Sequence, residues 1–76
     1  MKTWERKDKD GYLLYEVNEV KFDGDLHEFM VVKENGEVVA TITPADLDNQ
    51  EKIIKDLDNG KDVDGWKDGR GNTISI

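Results

Sequence analysis

The sequence predicts an α+β domain in which a three-stranded antiparallel meander carries one helix packed on its apolar face. Three observations predict it. Two runs rich in β-branched residues within Leu26 to Thr43 flank Asn35-Gly36, the strongest short-range hairpin signal. Asp23-Gly24 marks a second hairpin just upstream. Thr43-Pro44-Ala45-Asp46 then opens an amphipathic stripe that stops at Asn59-Gly60.

Taken in order, Met1 to Gly11 alternates charges around one large apolar residue, Trp4, and reads as a flexible or loosely docked arm. Trp4 either anchors that arm or stands exposed as a contact for a partner. Tyr12 to Phe22 has strand composition. Leu13, Tyr15 and Val17 keep one alternation and Val20 and Phe22 keep the other, which predicts a bulge or bend near Asn18-Glu19. The Asp23-Gly24 turn leads into Leu26 and brings Glu19 and Glu28 near each other.

With Asn35 and Gly36 as the central residues of a type I′ turn, Lys33 faces Val38 and Val32 faces Val39. The pairs then continue as Val31–Ala40, Met30–Thr41 and Phe29–Ile42. Side chains alternate along a strand, so Phe29, Val31, Val38, Ala40 and Ile42 share an apolar, core-directed face. The other face mixes Glu28, Met30, Val32, Glu34, Glu37, Val39 and Thr41.

Thr43 as N-cap, Pro44 at the first helical position and Asp46 at the third describe a helix start, with a second candidate at Asp48 and Glu51. Leu47, Gln50, Ile53, Ile54 and Leu57 trace the stripe that lies on the sheet. Beyond Gly60 the chain is rich in glycine and aspartate and irregular, with Trp66 folding back over the sheet–helix seam. Ile74 and Ile76 share a face, and Thr73 to Ile76 would add a short C-terminal edge strand, giving β-β-β-α-β.

Seventy-six residues with 36% hydrophobic and 38% charged content make one small domain. Without cysteine it has no disulfide or thiolate-bound metal to brace it. No apolar run approaches the roughly 20 residues that span a membrane. MKTWERKDKD lacks the apolar core of a secretory signal, so a cytoplasmic protein is expected. The formal charge is −7, and residues 12–68 hold fifteen acidic against six basic residues, or −9. Such a surface repels phosphate backbones, so direct nucleic-acid binding is not expected. It suits a basic protein partner, and it also serves plain solubility.

The chemistry-bearing patterns fail on spacing. Asp62-Val63-Asp64-Gly65 and Asp8-Lys9-Asp10-Gly11 resemble the opening of a calcium loop. That loop needs an oxygen ligand at position 5 and glycine at 6, where these segments place Trp66-Lys67 and Tyr12-Leu13. Asp-Gly turns account for both. His27 is the only histidine and reads as a rim residue near the strand end. Ser75 is the only serine, and no nucleophile signature surrounds it. The glycines at 65, 69 and 71 lack the strand–loop–Gly-Lys–helix order of a phosphate loop. No enzyme activity, metal or cofactor is expected. What remains is binding by surface, through an acidic rim of Glu28, Glu34, Glu37, Asp56, Asp58, Asp62 and Asp64. The uncovered strand face with Met30 and Val32 and the indoles of Trp4 and Trp66 complete the candidates. The alternative is a structural subunit that homo-oligomerises through a strand face or edge.

The run FMVVKENGEVVATITPADLDNQEKIIKDL, with the later DGWKDGRGNT, resembles small acidic proteins encoded by phages and mobile elements of Gram-positive bacteria. It extends over residues 26–73. Some of those proteins, including certain anti-CRISPR inhibitors, are a β-sheet with a helix and present acidic residues to a nuclease's nucleic-acid groove. The resemblance implies a phage-type inhibitor of a basic, nucleic-acid-handling protein, and it assigns no individual functional residue.

Overall fold

A computed structural model describes residues 1–76. Four antiparallel strands lie side by side in chain order, β1 (Thr3–Lys7), β2 (Leu13–Asp23), β3 (Leu26–Lys33) and β4 (Val38–Ile42), followed by helix α1 (Leu47–Asp58). The small α+β architecture of sheet plus one helix is as predicted, but the fourth strand lies at the other end of the chain. Thr73 to Ile76 adds no strand to the sheet; Thr73 pairs only with Lys67 in the tail itself. The supposed N-terminal arm instead supplies β1, with Trp4 opposite Val17 and Arg6 opposite Tyr15.

β1 is held because every second residue has a partner on the helix side. Trp4 is 7% exposed and tilts against Phe29 with ring centroids 5.9 Å apart. Its indole N–H donates to Asp58 Oδ1 at 2.8 Å. The Arg6 guanidinium donates to the Leu57 carbonyl at 2.7 Å, a helix C-terminal acceptor at the negative end of the dipole, and to the Lys61 carbonyl at 3.0 Å just beyond the helix.

The Asn35-Gly36 hairpin forms with Phe29–Ile42, Met30–Thr41 and Val31–Ala40 paired as predicted. Its turn is one residue longer than type I′. Type I′ needs positive φ at both central residues, and here Gly36 has φ +86° while Asn35 does not. Lys33 N–H donates to the Glu37 carbonyl and Gly36 N–H to the Lys33 carbonyl, both at 2.9 Å. The extra loop residue brings Val38, not Val39, opposite Val32, and the register recovers by accommodating Val39 as an unpaired residue. Val38 therefore leaves the core face and is 47% exposed.

The same loop closes Asp8–Tyr12 and Asp68–Asn72, where the first residue's N–H meets the fifth residue's carbonyl at 2.9 and 2.8 Å. Each aspartate Oδ1 also accepts two backbone N–H groups of its loop. These local bonds are the physical reason for the Asp-x-x-Gly spacing. β2 keeps one register from Tyr15 to Lys21, so no bend falls at Asn18-Glu19; the irregularity lies at Phe22, and a third at Leu14. Glu19 thus stays on the core face, and Val20, not Glu19, lies opposite Glu28.

The helix begins later than Thr43. Asp46 is the N-cap, accepting the Asn49 N–H at 2.8 Å, while Asn49 Oδ1 accepts the Ala45 N–H at 3.0 Å. This reciprocal pair outcompetes the lone Thr43 hydroxyl, and Pro44 is buried in the connection. Leu47 consequently falls off the core stripe and is half exposed. At the far end Gly60, at φ +84°, donates to the Leu57 carbonyl and Lys61 to the Asp56 carbonyl, the expected left-handed stop. Gln50, Ile53 and Leu57 of the stripe are buried, and Trp4, Tyr15, Val17, Phe29, Val31 and Ile42 face them from the sheet.

The tail closes this layer. Val63 and Ile74 are buried, and Trp66 packs against the core from the seam. Tyr15 Oη donates to Asp62 Oδ1 at 2.5 Å and accepts the buried Val63 N–H at 3.2 Å. Gln50 fastens the helix to the β2–β3 hairpin by accepting the His27 N–H at 2.6 Å and donating to the Asp25 carbonyl at 3.3 Å.

Candidate functional site: the open face of the sheet

The helix and the core-packed part of the tail (Val63, Trp66, Ile74) lie on one side of the sheet, and the Asp68–Asn72 loop borders only the β4 edge, beside Glu28, Val38 and Thr41; the rest of the opposite face has no covering layer. Cross-strand pairing fixes what that face displays. One row runs Glu5, Glu16, Val32, Val38 across the four strands, and the next runs Thr3, Asn18, Met30, Thr41. Below them Val20 lies opposite Glu28. The face is therefore divided, with the Glu5–Glu16 pair over β1 and β2, an apolar surface of Met30, Val32 and Val38 over β3 and β4, and Glu28 at its lower border. The three register irregularities add Leu14, Phe22 and Val39 as exposed apolar residues, Phe22 being 57% exposed.

Glu5 and Glu16 are direct cross-strand partners. Like charges directly opposed on a sheet are destabilising, and neither residue belongs to any of the four ion pairs of the chain. Glu16 accepts a hydrogen bond from Asn18 Nδ2 at 3.3 Å, and Glu28 is 3.5 Å from the Thr43 hydroxyl. Lys7, at the end of β1, is the one cation aligned with Glu5 on this face.

The expected acidic rim is not one surface. Glu28, Met30 and Val32 do lie on the open face, and Glu34 and Glu37 stand exposed in the β3–β4 turn at its border. The aspartates lie on the helix side and are engaged in the fold. Asp56 pairs with Lys52 at 3.2 Å and Lys61 at 3.5 Å, and the Lys52 hydrogen bond holds its carboxyl below the usual range. Asp58 accepts from Trp4, which with Lys2 lowers its pKa likewise. Asp62 binds Tyr15, and Asp64 accepts the Ile76 N–H at 3.0 Å. Trp4 is core, not an exposed contact, and Trp66 is half-buried against that core. Sequence reasoning missed Glu5 and Glu16. Glu16 could have been found by counting one residue away from inward Tyr15 and Val17; Glu5 required β1 to be recognised first.

On the core face, His27 Nδ1 lies 2.7 Å from Glu19 Oε2, and Lys2 N–H donates to Glu19 Oε1 at 3.0 Å. Burial works to raise the Glu19 pKa, but these hydrogen bonds outweigh it and hold the carboxyl below the usual glutamate range. No three His, Asp or Glu side chains converge as a metal site would require, and no helix is long and apolar enough to cross a membrane. The largest hollow, about 570 Å³, is an open groove beside β4 between Val38–Thr41 and the Asp68–Asn72 loop. Compared with known protein families, curated proteins and solved structures, the chain matches none.

Proposed function

We propose that this chain is a non-enzymatic protein-binding module whose open sheet face receives a basic protein, of the kind that handles nucleic acid. The observation that carries the reading is the Glu5–Glu16 pair, a like-charge apposition outside all four ion pairs of the chain, set beside the apolar Met30, Val32 and Val38. An apolar centre flanked by unpaired charge suits a partner presenting arginine or lysine next to an apolar anchor. The net charge of −7 steers such a partner and repels nucleic acid itself. The resemblance to phage-type inhibitors supports the same class of partner.

Homo-oligomerisation by full overlap of two open faces is disfavoured on the same grounds, because it would bury Glu5 and Glu16 of both copies without a cation to pair them. The test is affinity capture with three baits: the wild-type chain, a Glu5→Lys/Glu16→Lys variant, and a Glu51→Lys variant altered on the exposed side of the helix. A partner held by the wild-type and Glu51→Lys baits, released by salt and lost from the double variant, is the expected result. Equal capture by all three baits, indifferent to salt, would overturn the assignment.

A further inference from the structure

The two edges of the sheet are protected in different ways. β1 is open along its outer edge, and Glu5, Arg6 and Lys7 make it a charged strand that resists further pairing. β4 reads Val-Val-Ala-Thr-Ile without a charge, the composition most prone to add another strand. It is the edge that carries a cover. Gly69 N–H donates to the Thr41 carbonyl at 2.7 Å, on the side of β4 away from β3. The loop that delivers Gly69 is self-braced, since Asp68 Oδ1 accepts from Arg70 N–H at 2.8 Å and Asn72 N–H at 2.9 Å. Its stem is anchored in the core, where Ile74 N–H meets the Trp66 carbonyl at 2.7 Å. The fit is close, for a Cβ at position 69 would stand 2.8 Å from Thr43 Oγ1.

We propose that the Asp68–Asn72 loop is a latch over the β4 edge, and that with the latch open β4 pairs with β4 of a second copy. Antiparallel pairing about Ala40 sets Val38 against Ile42 and Val39 against Thr41, so no like charges meet. The unpaired Val39 twists the edge and leaves Thr41 as the position where a cover matters most. The groove between Val38–Thr41 and the loop gives an incoming strand access to the rest of the edge. This device acts through the backbone edge of β4, and Val38 is the residue it shares with the apolar part of the open face.

Gly69→Val crowds the Thr43 hydroxyl and, with its branched side chain, the Thr41 carbonyl beside it, so it strains the latch by contact, since Gly69 does not hold a positive φ. Asp68→Ala loosens the same loop without adding bulk, and carries the test if the valine variant fails to fold. Sedimentation equilibrium at high salt compares each with the wild type, and each with Val39→Lys added. Both variants are expected to dimerise with a dissociation constant lower by about tenfold or more, and the edge lysine is expected to return them to monomer. A folded variant as monomeric as the wild type, or a dimer that survives Val39→Lys, would overturn the latch.

Discussion

Replacing Tyr15 by phenylalanine removes one oxygen from the contact that joins the tail to the core, and its effect can be worked from the geometry. The hydroxyl accepts the Val63 N–H, which is buried, and donates to Asp62, which is exposed. Asp62 regains water when the hydroxyl is lost, so its contribution is small. Val63 N–H has no water to turn to, and an unsatisfied buried donor costs about 1–3 kcal/mol. Taking about 2 kcal/mol, the loss is a large share of the roughly 4–11 kcal/mol expected of a chain this size. Urea unfolding should show a lower midpoint with an unchanged slope, and the melting temperature should fall by roughly 8–16 °C. Burial, followed by the hydrogen bond to Asp62, pushes the Tyr15 pKa from 10.0 up to about 12. A raised pKa means that the stabilisation is complete below the unfolded value and is lost as pH rises through the folded one. The wild type should therefore lose roughly 2–3 kcal/mol of stability between about pH 10 and 12, a component absent from Tyr15→Phe. Phenolate absorbance on a Tyr12→Phe background isolates the Tyr15 titration. A Tyr15→Phe protein within about 0.5 kcal/mol of the wild type would refute the docking role.

The remaining expectations concern other joints of the fold. Glu19 is held below its ordinary 4.5, so the stability it contributes is present above that value and lost as pH falls through the lowered one; Glu19→Gln should flatten this acid limb in denaturant titrations. Gln50→Leu removes the partner of the half-buried His27 N–H, while the exposed Asp25 carbonyl turns to water, and it should lower the unfolding free energy by about 0.5–1.5 kcal/mol. Its amide exchange should quicken first at the β2–β3 hairpin. Gly60→Ala places a side chain at positive φ and should cost about 1 kcal/mol, read as a shift in urea midpoint.

Much of the sheet is legible in the residues because period-two alternation around two glycine turns leaves few registers open. The Phe29, Val31, Ala40 and Ile42 face and the Gln50, Ile53 and Leu57 stripe follow from that alternation and from the helical period. What the residues do not show is a strand with a single core side chain. Thr3–Lys7 reads as a charged arm because only Trp4 is apolar, and its fixation comes from Asp58, Leu57 and Lys61, more than fifty positions away. Alternation counted from a two-residue turn places Val38 on the core face, whereas the sign of φ at Asn35 decides between a two- and a three-residue loop, and asparagine accommodates either. Asp58 and Asp62 of the supposed rim look free in sequence because Trp4 and Tyr15 reach them only in the folded chain, whereas the Lys52–Asp56 pair is a local one, four residues apart on the helix. Half of the open face was legible through Glu28, Met30 and Val32; the half bearing Glu5 and Glu16 depended on finding β1.

The central claim is that Glu5 and Glu16 are kept for a partner at some expense to the fold. Converting one of them to lysine turns a like-charge apposition into an opposite one, which on a sheet is worth about 0.2–1 kcal/mol in favour of folding. The most direct measurement is the affinity of Glu16→Lys for the captured partner, made on protein whose unfolding free energy has been determined alongside the wild type. Weaker binding by a variant at least as stable as the wild type is the expected result. Unchanged affinity, or a loss of binding that merely follows a loss of stability, would contradict the account.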